Sequence, residues 1–229
     1  MDPIQFFLDF DGTITKKDVV DLILEHFASS EWRSVEREWV EGKIGSRECL
    51  TRQIALAKVT REELKKLDDH VEVDPTFFPF LKTVKDLGIP VTIVSDGFKV
   101  MIEQVLKHAS KNAEGLPGPL PIFSNQLEWH GSSVQARFPE GPVCEHGCAN
   151  CKPRVIASQR VPGKKIIFVG DGLSDRFAAE ASDLTFAKGK LLKFCEEKNI
   201  THKKYSNFKE IEEWVLKQSE PIKEEMPCH

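Results

Sequence analysis

The sequence predicts an α/β fold, a Rossmann-like parallel sheet core with an inserted helical-bundle cap and a small β-hairpin. Three short apolar runs, at residues 4–8, 90–94 and 166–169, each end at glycine or polar residues, as strands buried on both faces do. Segments with helical periodicity separate these runs, and this alternation is typical of a parallel sheet wrapped by helices. With 229 residues, 40% of them hydrophobic, the chain can bury a sizeable core.

The predicted cap follows the first strand. Four amphipathic segments, separated by short breaks rich in Ser, Gly or Thr, predict four helices, and Thr60 is a suitable N-cap for the last of them. These helices are predicted at 19–28, 32–41, 46–57 and 61–70. We interpret them as a small bundle inserted into the sheet domain.

The remaining elements complete the core. Helical spacing predicts one helix before the second strand and one after it, and two more near the end of the chain. The alternating pattern over 122–138 predicts the β-hairpin. The core helices are predicted at 78–87, 100–108, 191–198 and 208–217.

The predicted elements divide the chain into three parts. Residues 1–15 and 75–218 form the expected Rossmann-like core, and residues 16–74 form the expected cap. The segment 219–229 is rich in Glu, Lys and Pro and is expected to be a flexible tail.

Composition excludes several classes of function. The net charge is −4 and the Lys and Arg residues are spread along the chain, which argues against binding to nucleic acid or to an anionic membrane. The first apolar run is short and has no basic leader, so neither a signal peptide nor a membrane span is expected there. We therefore expect a cytoplasmic protein that acts on a small molecule. The sequence gives no indication of the oligomeric state.

Two pairs of carboxylates follow predicted strands. Asp9 and Asp11 project to the same side at the end of the first strand, and Asp171 and Asp175 follow the third. Carboxylates held close together repel each other unless a cation lies between them, and oxygen ligands suit Mg²⁺. We expect Asp9, Asp11 and Asp171 to be the metal ligands and Asp175 to support them by hydrogen bonds. The alternative for each pair is an ordinary Asp-Gly turn.

Three further residues suggest an oxyanion site. Ser95 and Gly97 end the second strand, where a hydroxyl and closely approaching backbone N–H groups can bind phosphate oxygens. Lys152 can add a fixed positive charge, although a single lysine is usually a solvated surface residue.

These four elements, in this order, resemble the haloacid dehalogenase superfamily of phosphohydrolases. The resemblance extends from Asp9 to about Asp183. It implies that Asp9 is the nucleophile of an aspartyl-phosphate mechanism, that Asp11 is the general acid and base, and that Ser95, Gly97 and Lys152 hold the phosphate. It also implies Mg²⁺ as the cofactor.

The inserted helices resemble the cap of the phosphoserine phosphatase branch. Within that branch, residues 151–156 and 182–187 are similar to the methionine-salvage phosphatases that act on 2-hydroxy-3-keto-5-methylthiopentenyl-1-phosphate. Asp18 matches the position at which phosphoserine phosphatases place an acid for the substrate amine. Gln53 stands where an Arg for the substrate carboxylate is expected, and a shift of one residue would place Arg52 there instead. We therefore expect phosphoserine to be a poor substrate.

Three cysteines, Cys144, Cys148 and Cys151, form a cluster whose short spacing is similar to that of metal ligands. It can be a zinc site, a redox disulfide or three reduced thiols in a tight loop.

Several alternatives to the methionine-salvage substrate remain at this stage. Phosphoserine, phosphocholine, phosphoethanolamine or a vitamin phosphate are other candidate substrates, and phosphate transfer to an acceptor other than water is a related reaction. A non-catalytic module that binds zinc or a partner is the alternative outside the enzyme classes.

Overall fold

A seven-stranded sheet lies at the centre of the protein. The structure is a computed structural model, and it describes residues 3–112, 120–131 and 133–219. The strands are β1 (Ile4–Leu8), β2 (Val91–Phe98), β3 (Ile122–His130), β4 (Ser133–Arg137), β5 (Lys165–Gly170), β6 (Leu184–Ala187) and β7 (His202–Lys204). Their order across the sheet is β4-β3-β2-β1-β5-β6-β7. Every neighbouring pair is parallel except β3 and β4, which form the predicted hairpin at one edge.

Helices cover the sheet and form the insertion. They are α1 (Val19–Phe27), α2 (Trp32–Val40), α3 (Ser46–Ala55), α4 (Arg61–Leu64), α5 (Phe77–Asp86), α6 (Lys99–Ala109), α7 (Lys152–Gln159), α8 (Arg176–Glu180), α9 (Gly189–Lys198) and α10 (Phe208–Ser219). The mostly parallel sheet, the inserted helices and the hairpin confirm the predicted fold class. Within the described ranges, no helix combines the length and apolar character needed to cross a membrane.

The centre of the sheet is buried on both faces. All five residues of β1 are buried, because helices pack above and below this strand. Phe6 of β1 meets Phe80 edge to face at 5.3 Å, and Phe208 of α10 contacts both Phe77 and Phe80 at 5.1 Å. These aromatic contacts fix α5 and α10 against one face of the sheet.

Some elements differ from the sequence prediction. β2 was predicted to end at Val94, but it continues to Phe98 with a shift in its pairing to β3. The fourth cap helix is α-helical only at its start and continues as a 3₁₀ helix over Lys65–His70. Strands β6 and β7 were not predicted, since they have only four and three residues and β7 is polar.

The chain enters and leaves the insertion at adjacent points. Thr15 and Val73 form an antiparallel bridge, and the Lys16 N–H donates to the Glu72 carbonyl at 2.8 Å. Helices α1 to α4 lie between these points in the chain. The predicted boundaries, with the core at 1–15 and 75–218 and the cap at 16–74, stay predictions. In the predicted tail, residues 220–229 lie outside the described part of the chain.

The hairpin contacts the insertion. The Trp129 indole N–H of β3 donates to the Val59 carbonyl at 3.1 Å, and the Arg61 guanidinium lies 4.1 Å from the centre of the Trp129 ring. Lys58 and Ser133 form an antiparallel bridge. The inserted helices are therefore attached to one edge of the sheet as well as to its central strands.

Candidate active site

The candidate site lies where the central strands end. β1 pairs with both β2 and β5, so the carboxyl ends of these three parallel strands lie side by side. This arrangement brings together Asp9 and Asp11 after β1, Ser95 in β2 and Asp171 after β5. The Asp9 N–H donates to the Val169 carbonyl at 2.9 Å, which extends the β1–β5 pairing up to the site.

Lys152 is buried among carboxylates. Its Nζ lies 2.7 Å from Asp9 Oδ1 and 2.5 Å from Asp175 Oδ1, and only 1% of its side chain is exposed. Burial disfavours the charged ammonium, but the ion pairs with Asp175 and Asp9 outweigh burial and raise the pKa of Lys152 above its ordinary value. The sequence alternative of a solvated surface lysine is wrong for this residue.

Three carboxylates form one acidic cluster. One oxygen each from Asp9, Asp171 and Asp175 lies within 4.8 Å of the others. The Asp171 and Gly172 N–H groups donate to Asp175 Oδ2 at 2.9 and 3.0 Å, and Thr13 Oγ1 donates to Asp171 Oδ1 at 2.8 Å. These hydrogen bonds fix the carboxylates in place before any ligand binds.

The acidic cluster fits a hard cation. Burial, followed by repulsion from Asp175, raises the pKa of Asp9 well above its ordinary value, and the same two causes raise the pKa of Asp171 to about 6. A divalent cation would relieve this repulsion, and an all-oxygen donor set matches Mg²⁺. These residues therefore fit the metal that the sequence predicts.

The Asp11 carboxylate is not one of the three in that cluster, and its role as a metal ligand stays a prediction. It accepts from the Val19 N–H at 2.9 Å and from Ser95 Oγ at 3.2 Å. Burial and then repulsion from Asp18 raise the pKa of Asp11 to about 8, against the lowering effect of these hydrogen bonds. A carboxyl group with this pKa holds a proton at neutral pH.

Gly97 lies tightly against the acidic residues. A Cβ at this position would collide with Asp11 Oδ2 and would lie 3.0 Å from Ser95 Oγ. The Gly97 N–H donates to Ser95 Oγ at 2.8 Å, which orients the hydroxyl. Any side chain at Gly97 would therefore displace the groups beside it.

A cavity of about 320 Å³ connects these residues to the insertion. Its core wall includes Asp9, Asp11, Gly97 and Asp171, together with Lys190 of α9. The inserted helices supply Asp18, Val20, Asp21, Glu36, Trp39, Ser46, Cys49, Leu50 and Gln53. No lysine or arginine is among the lining residues from these helices in the described part of the chain.

The insertion wall of the cavity is acidic. Asp18 caps α1 by accepting from the Val20 and Asp21 N–H groups at 2.8 and 3.1 Å, which matches its favourable position at a helix start. Burial raises the pKa of Asp18, and burial followed by repulsion from Asp18 and Glu36 raises the pKa of Asp21 to about 7. Sequence reasoning identified only Asp18 of these three carboxyl groups.

Gln53 and Arg52 have different surroundings. Gln53 is buried, and its Nε2 donates to Glu36 Oε2 at 2.9 Å. Arg52 is outside the cavity wall, where its guanidinium forms a two-point ion pair with Glu38 at 2.7 and 2.9 Å. The alternative in which Arg52 replaces Gln53 at the substrate therefore does not match the helix register of α3.

Asp96 has a structural connection that the sequence analysis missed. Its Oδ2 accepts from Ser46 Oγ of α3 at 2.8 Å, and its Oδ1 accepts from the Asn150 N–H at 3.2 Å. The Asn150 side chain donates to the Ser95 carbonyl at 3.0 Å. Asp96 therefore links the end of β2 to the insertion and to the loop before Lys152.

The cysteine cluster lies in that loop. Cys144 and Cys148 bring their sulfur atoms together with a ring nitrogen of His146, and all three atoms lie within 4.8 Å of one another. Cys151 ends the same loop and is not one of these three residues, although its thiol interacts with that of Cys144. Burial opposes ionisation of Cys144, but hydrogen bonds from Cys148 and its neighbours outweigh burial and lower the pKa of this thiol.

Comparisons with known proteins agree with this geometry. Residues 6–180 match the family model described as haloacid dehalogenase-like hydrolase. The 2-hydroxy-3-keto-5-methylthiopentenyl-1-phosphate phosphatase of Bacillus pumilus (strain SAFR-032) is 32% identical over 226 residues, covering 92% of this chain and 94% of that protein. The phosphatase of the same name from Geobacillus kaustophilus (strain HTA426) is 28% identical, covering 90% and 92% of the two chains.

The fold is similar to that of solved phosphoserine phosphatases. The structure of a substrate-bound phosphoserine phosphatase complex aligns with a TM-score of 0.71 and 19% identity, covering 93% of this chain and 99% of that one. A phosphoserine phosphatase carrying an analogue of the phospho-aspartyl intermediate gives the same TM-score at 20% identity, covering 93% and 99%. At this identity, the likeness concerns the fold.

The Lys152 ion pairs lead to a prediction about stability. Lys152→Met should lower the free energy of unfolding at pH 8 by about 3–5 kcal/mol, because Asp9 and Asp175 remain buried without a counter-charge. The loss should be smaller at pH 5. Burial raises the pKa of Asp9 and the Lys152 charge opposes this rise, so removal of Lys152 raises that pKa further. The folded variant then binds more protons than the folded parent, and the difference in stability narrows as the pH falls. Urea unfolding of the metal-free protein at both pH values measures this difference.

The matched control is Lys193→Met, because Lys193 is exposed on α9. This control should change the free energy of unfolding by less than about 0.5 kcal/mol at either pH. A Lys152→Met variant that is as stable as the parent at pH 8 would contradict the structural role of these ion pairs.

Proposed function

The chain belongs to the haloacid dehalogenase-like hydrolase family and is a phosphatase, and we propose that it hydrolyses 2-hydroxy-3-keto-5-methylthiopentenyl-1-phosphate with Asp9 as the nucleophile. One observation carries the proposal. Asp9 lies beside Lys152 and two further carboxylates, at the core side of a cavity whose other side lacks a cationic residue among the described lining residues. The core side suits a phosphate group, and the other side suits a leaving group without a carboxylate.

Asp9 and Asp11 have different roles in the proposed reaction. Asp9 attacks phosphorus and the ester bond to the leaving oxygen breaks, which produces an aspartyl-phosphate. Asp11 donates its proton to that oxygen. In the second step, Asp11 takes a proton from the attacking water, and phosphate leaves Asp9. The raised pKa of Asp11 and the hydrogen bonds that hold its carboxylate support this proton-transfer role.

The remaining core residues bind the phosphate and the metal. Lys152 neutralises charge beside Asp9, while Ser95 Oγ and the backbone at Gly97 are proposed to contact phosphate oxygens. Asp9 and Asp171 would hold Mg²⁺, and Asp175 would orient the Asp171 loop through its backbone hydrogen bonds. The metal would supply charge neutralisation for the transferring phosphoryl group.

The cap wall supports a substrate without a carboxylate. Gln53 is the residue predicted to replace the cationic partner of a substrate carboxylate, and it lines the cavity together with Asp18, Asp21 and Glu36. On this side a carboxylate would meet negative charge and no arginine fork, and Lys190 of α9, the one lysine or arginine among the described lining residues, interacts with Asp21. The hydroxyl and keto groups of the enol phosphate would instead bind as neutral partners, and Asp18 would accept from a hydroxyl.

A cationic phosphate ester is the second candidate. The same acidic wall would attract the ammonium of phosphoethanolamine or phosphocholine, so these esters are the strongest alternatives to the enol phosphate as the substrate. For either substrate, we place the enzyme in the cytoplasm, acting on a small metabolite. The net charge of −4 and the spread of basic residues support a partner that is neither nucleic acid nor membrane.

Replacement of the nucleophile gives the first catalytic prediction. Asp9→Asn should lower kcat by at least about 10³-fold while leaving the circular dichroism spectrum unchanged, because the amide is nearly isosteric but cannot form the aspartyl-phosphate. Steady-state kinetics with the enol phosphate measures this. Asp86→Asn, at the exposed end of α5, is the matched control and should keep full activity. Undiminished turnover by Asp9→Asn would exclude the proposed mechanism.

Metal binding gives a separate prediction. Asp171→Asn should weaken the apparent affinity for Mg²⁺ by roughly 10- to 100-fold, because the cluster loses one charged ligand. A titration of activity with Mg²⁺ should show recovery of much of the lost rate at high concentration. Activity of the parent protein in excess chelator should be absent. An unchanged Mg²⁺ titration in Asp171→Asn would show that this carboxylate is not a ligand.

Phosphoserine and phosphoethanolamine form a matched pair, since they differ only by a carboxylate. We expect kcat/KM to be about 10- to 100-fold lower for phosphoserine, because the insertion offers its carboxylate acidic side chains and no cationic partner. The enol phosphate should exceed both. Preference for phosphoethanolamine over the enol phosphate would select the second candidate, and preference for phosphoserine would contradict the argument from Gln53.

A further inference from the structure

The loop before α7 places three potential metal ligands on one side of a tight turn. Gly147 adopts a φ of 62°, and its N–H donates to the Cys144 carbonyl at 2.9 Å. The Cys148 N–H donates to Cys144 Sγ at 3.3 Å. This turn is what brings the sulfur atoms of Cys144 and Cys148 within 4.8 Å of each other and of a His146 ring nitrogen.

Two further observations concern the rest of the ligand set. Cys151 ends the same loop three residues after Cys148, and its thiol interacts with that of Cys144, so it is the candidate for the fourth ligand. The His146 ring stacks on Phe177 of α8 with centroids 3.7 Å apart, which holds the imidazole beside the thiols. Three thiolates and one imidazole are a common ligand set for structural zinc.

We propose that Cys144, His146, Cys148 and Cys151 bind one zinc ion with a structural role. This site is separate from the carboxylate cluster, because soft sulfur ligands select zinc whereas oxygen ligands select Mg²⁺. The proposal does not depend on the substrate of the enzyme. The phosphatase mechanism does not use these cysteines, and the proposal gives them a structural function.

The position of the loop indicates what the zinc would stabilise. The Gly147 carbonyl accepts from the Arg47 N–H at 3.0 Å, and the Ala149 N–H donates to Ser46 Oγ at 2.9 Å. Both contacts are with the first turn of α3 in the insertion. A Cβ added to Gly45 would lie 2.5 Å from the Gly147 carbonyl oxygen, so the two segments touch without room for a side chain.

The C-terminal end of the loop is hydrogen-bonded to the core strands beside the candidate active site. Asn150 donates to the Ser95 and Phe123 carbonyls at 3.0 and 2.8 Å, and Cys151 directly precedes Lys152. Residues 138–151 contain no helix or strand, and the side chains at 139–143 are exposed. Little apolar burial holds this segment, so metal ligation would supply the missing rigidity. The zinc would therefore brace the loop, which means that it would fix the position of Lys152 relative to α3.

Zinc content is the direct test. The full chain, purified under reducing conditions without chelator and incubated with a zinc salt, should retain about one zinc per chain after extensive dialysis. Excess Mg²⁺ should not displace it. A fully reduced chain, as verified by thiol titration, that retains no zinc would overturn the proposal, and so would a chain whose Cys144 and Cys148 are joined in a disulfide while zinc is available.

Cobalt identifies the ligands. Co²⁺ added to the zinc-free, reduced chain should produce thiolate-to-cobalt charge-transfer absorption and the intense visible bands of a tetrahedral site, which carboxylate ligands do not give. Cys148→Ser should weaken the charge-transfer band, because one of the three thiolates is lost. Cys195→Ser is the matched control, because Cys195 is buried on α9, and it should keep the band. Equal spectra for the two variants would exclude the cluster as the site.

Hydrogen exchange tests the bracing role independently of turnover. Removal of zinc should increase amide exchange at Arg47 and Ala149, whose N–H groups bond across the contact, while β5 should keep its protection. Exchange that stays unchanged at both amides would contradict the bracing role even if zinc binds. Because none of these measurements requires substrate, failure of the proposed substrate would leave their outcome intact.

Discussion

The site depends on one buried ammonium. Lys152 lies between Asp9 and Asp175, and the three side chains are almost inaccessible to solvent. Without this positive charge, the carboxylates that end β1 and follow β5 would repel each other at the place where the central strands meet. Lys152 itself has its position because α7 begins there, directly after the loop that contains the cysteines. The chemistry of the core and the geometry of this loop are therefore linked.

The core and the insertion each supply one wall of the cavity. The strand ends of the core fix the charged residues beside Asp9 through backbone pairing, which leaves them little freedom. The inserted helices supply the opposite wall through side chains on α1, α2 and α3. Asp96 connects the two, because it accepts from Ser46 of α3 and from the Asn150 N–H. This carboxylate therefore links the insertion wall of the cavity to the core.

The sequence predicts the core side of the site better than the cap side. Asp9 and Asp171 were identifiable because the carboxyl ends of neighbouring parallel strands must meet at one edge. Asp21 and Glu36 were not, since acidic residues on amphipathic helices are usually solvated, and only the placement of α1 and α2 around the cavity shows that these two line it. Adjacent positions on α3 point in directions about 100° apart, so the helix register alone decides that Gln53 lines the cavity.

The chain enters and leaves the insertion through the paired segments at Thr15 and Val73. Such neighbouring ends mean that the length of the 57 residues between them can change without altering the distance between the two points where the chain leaves and rejoins the sheet domain. Descendants of one ancestor can in this way acquire new leaving groups while inheriting the same phosphoryl chemistry. For protein engineers, the same junction defines where the cap of a related enzyme would be grafted to transfer its specificity.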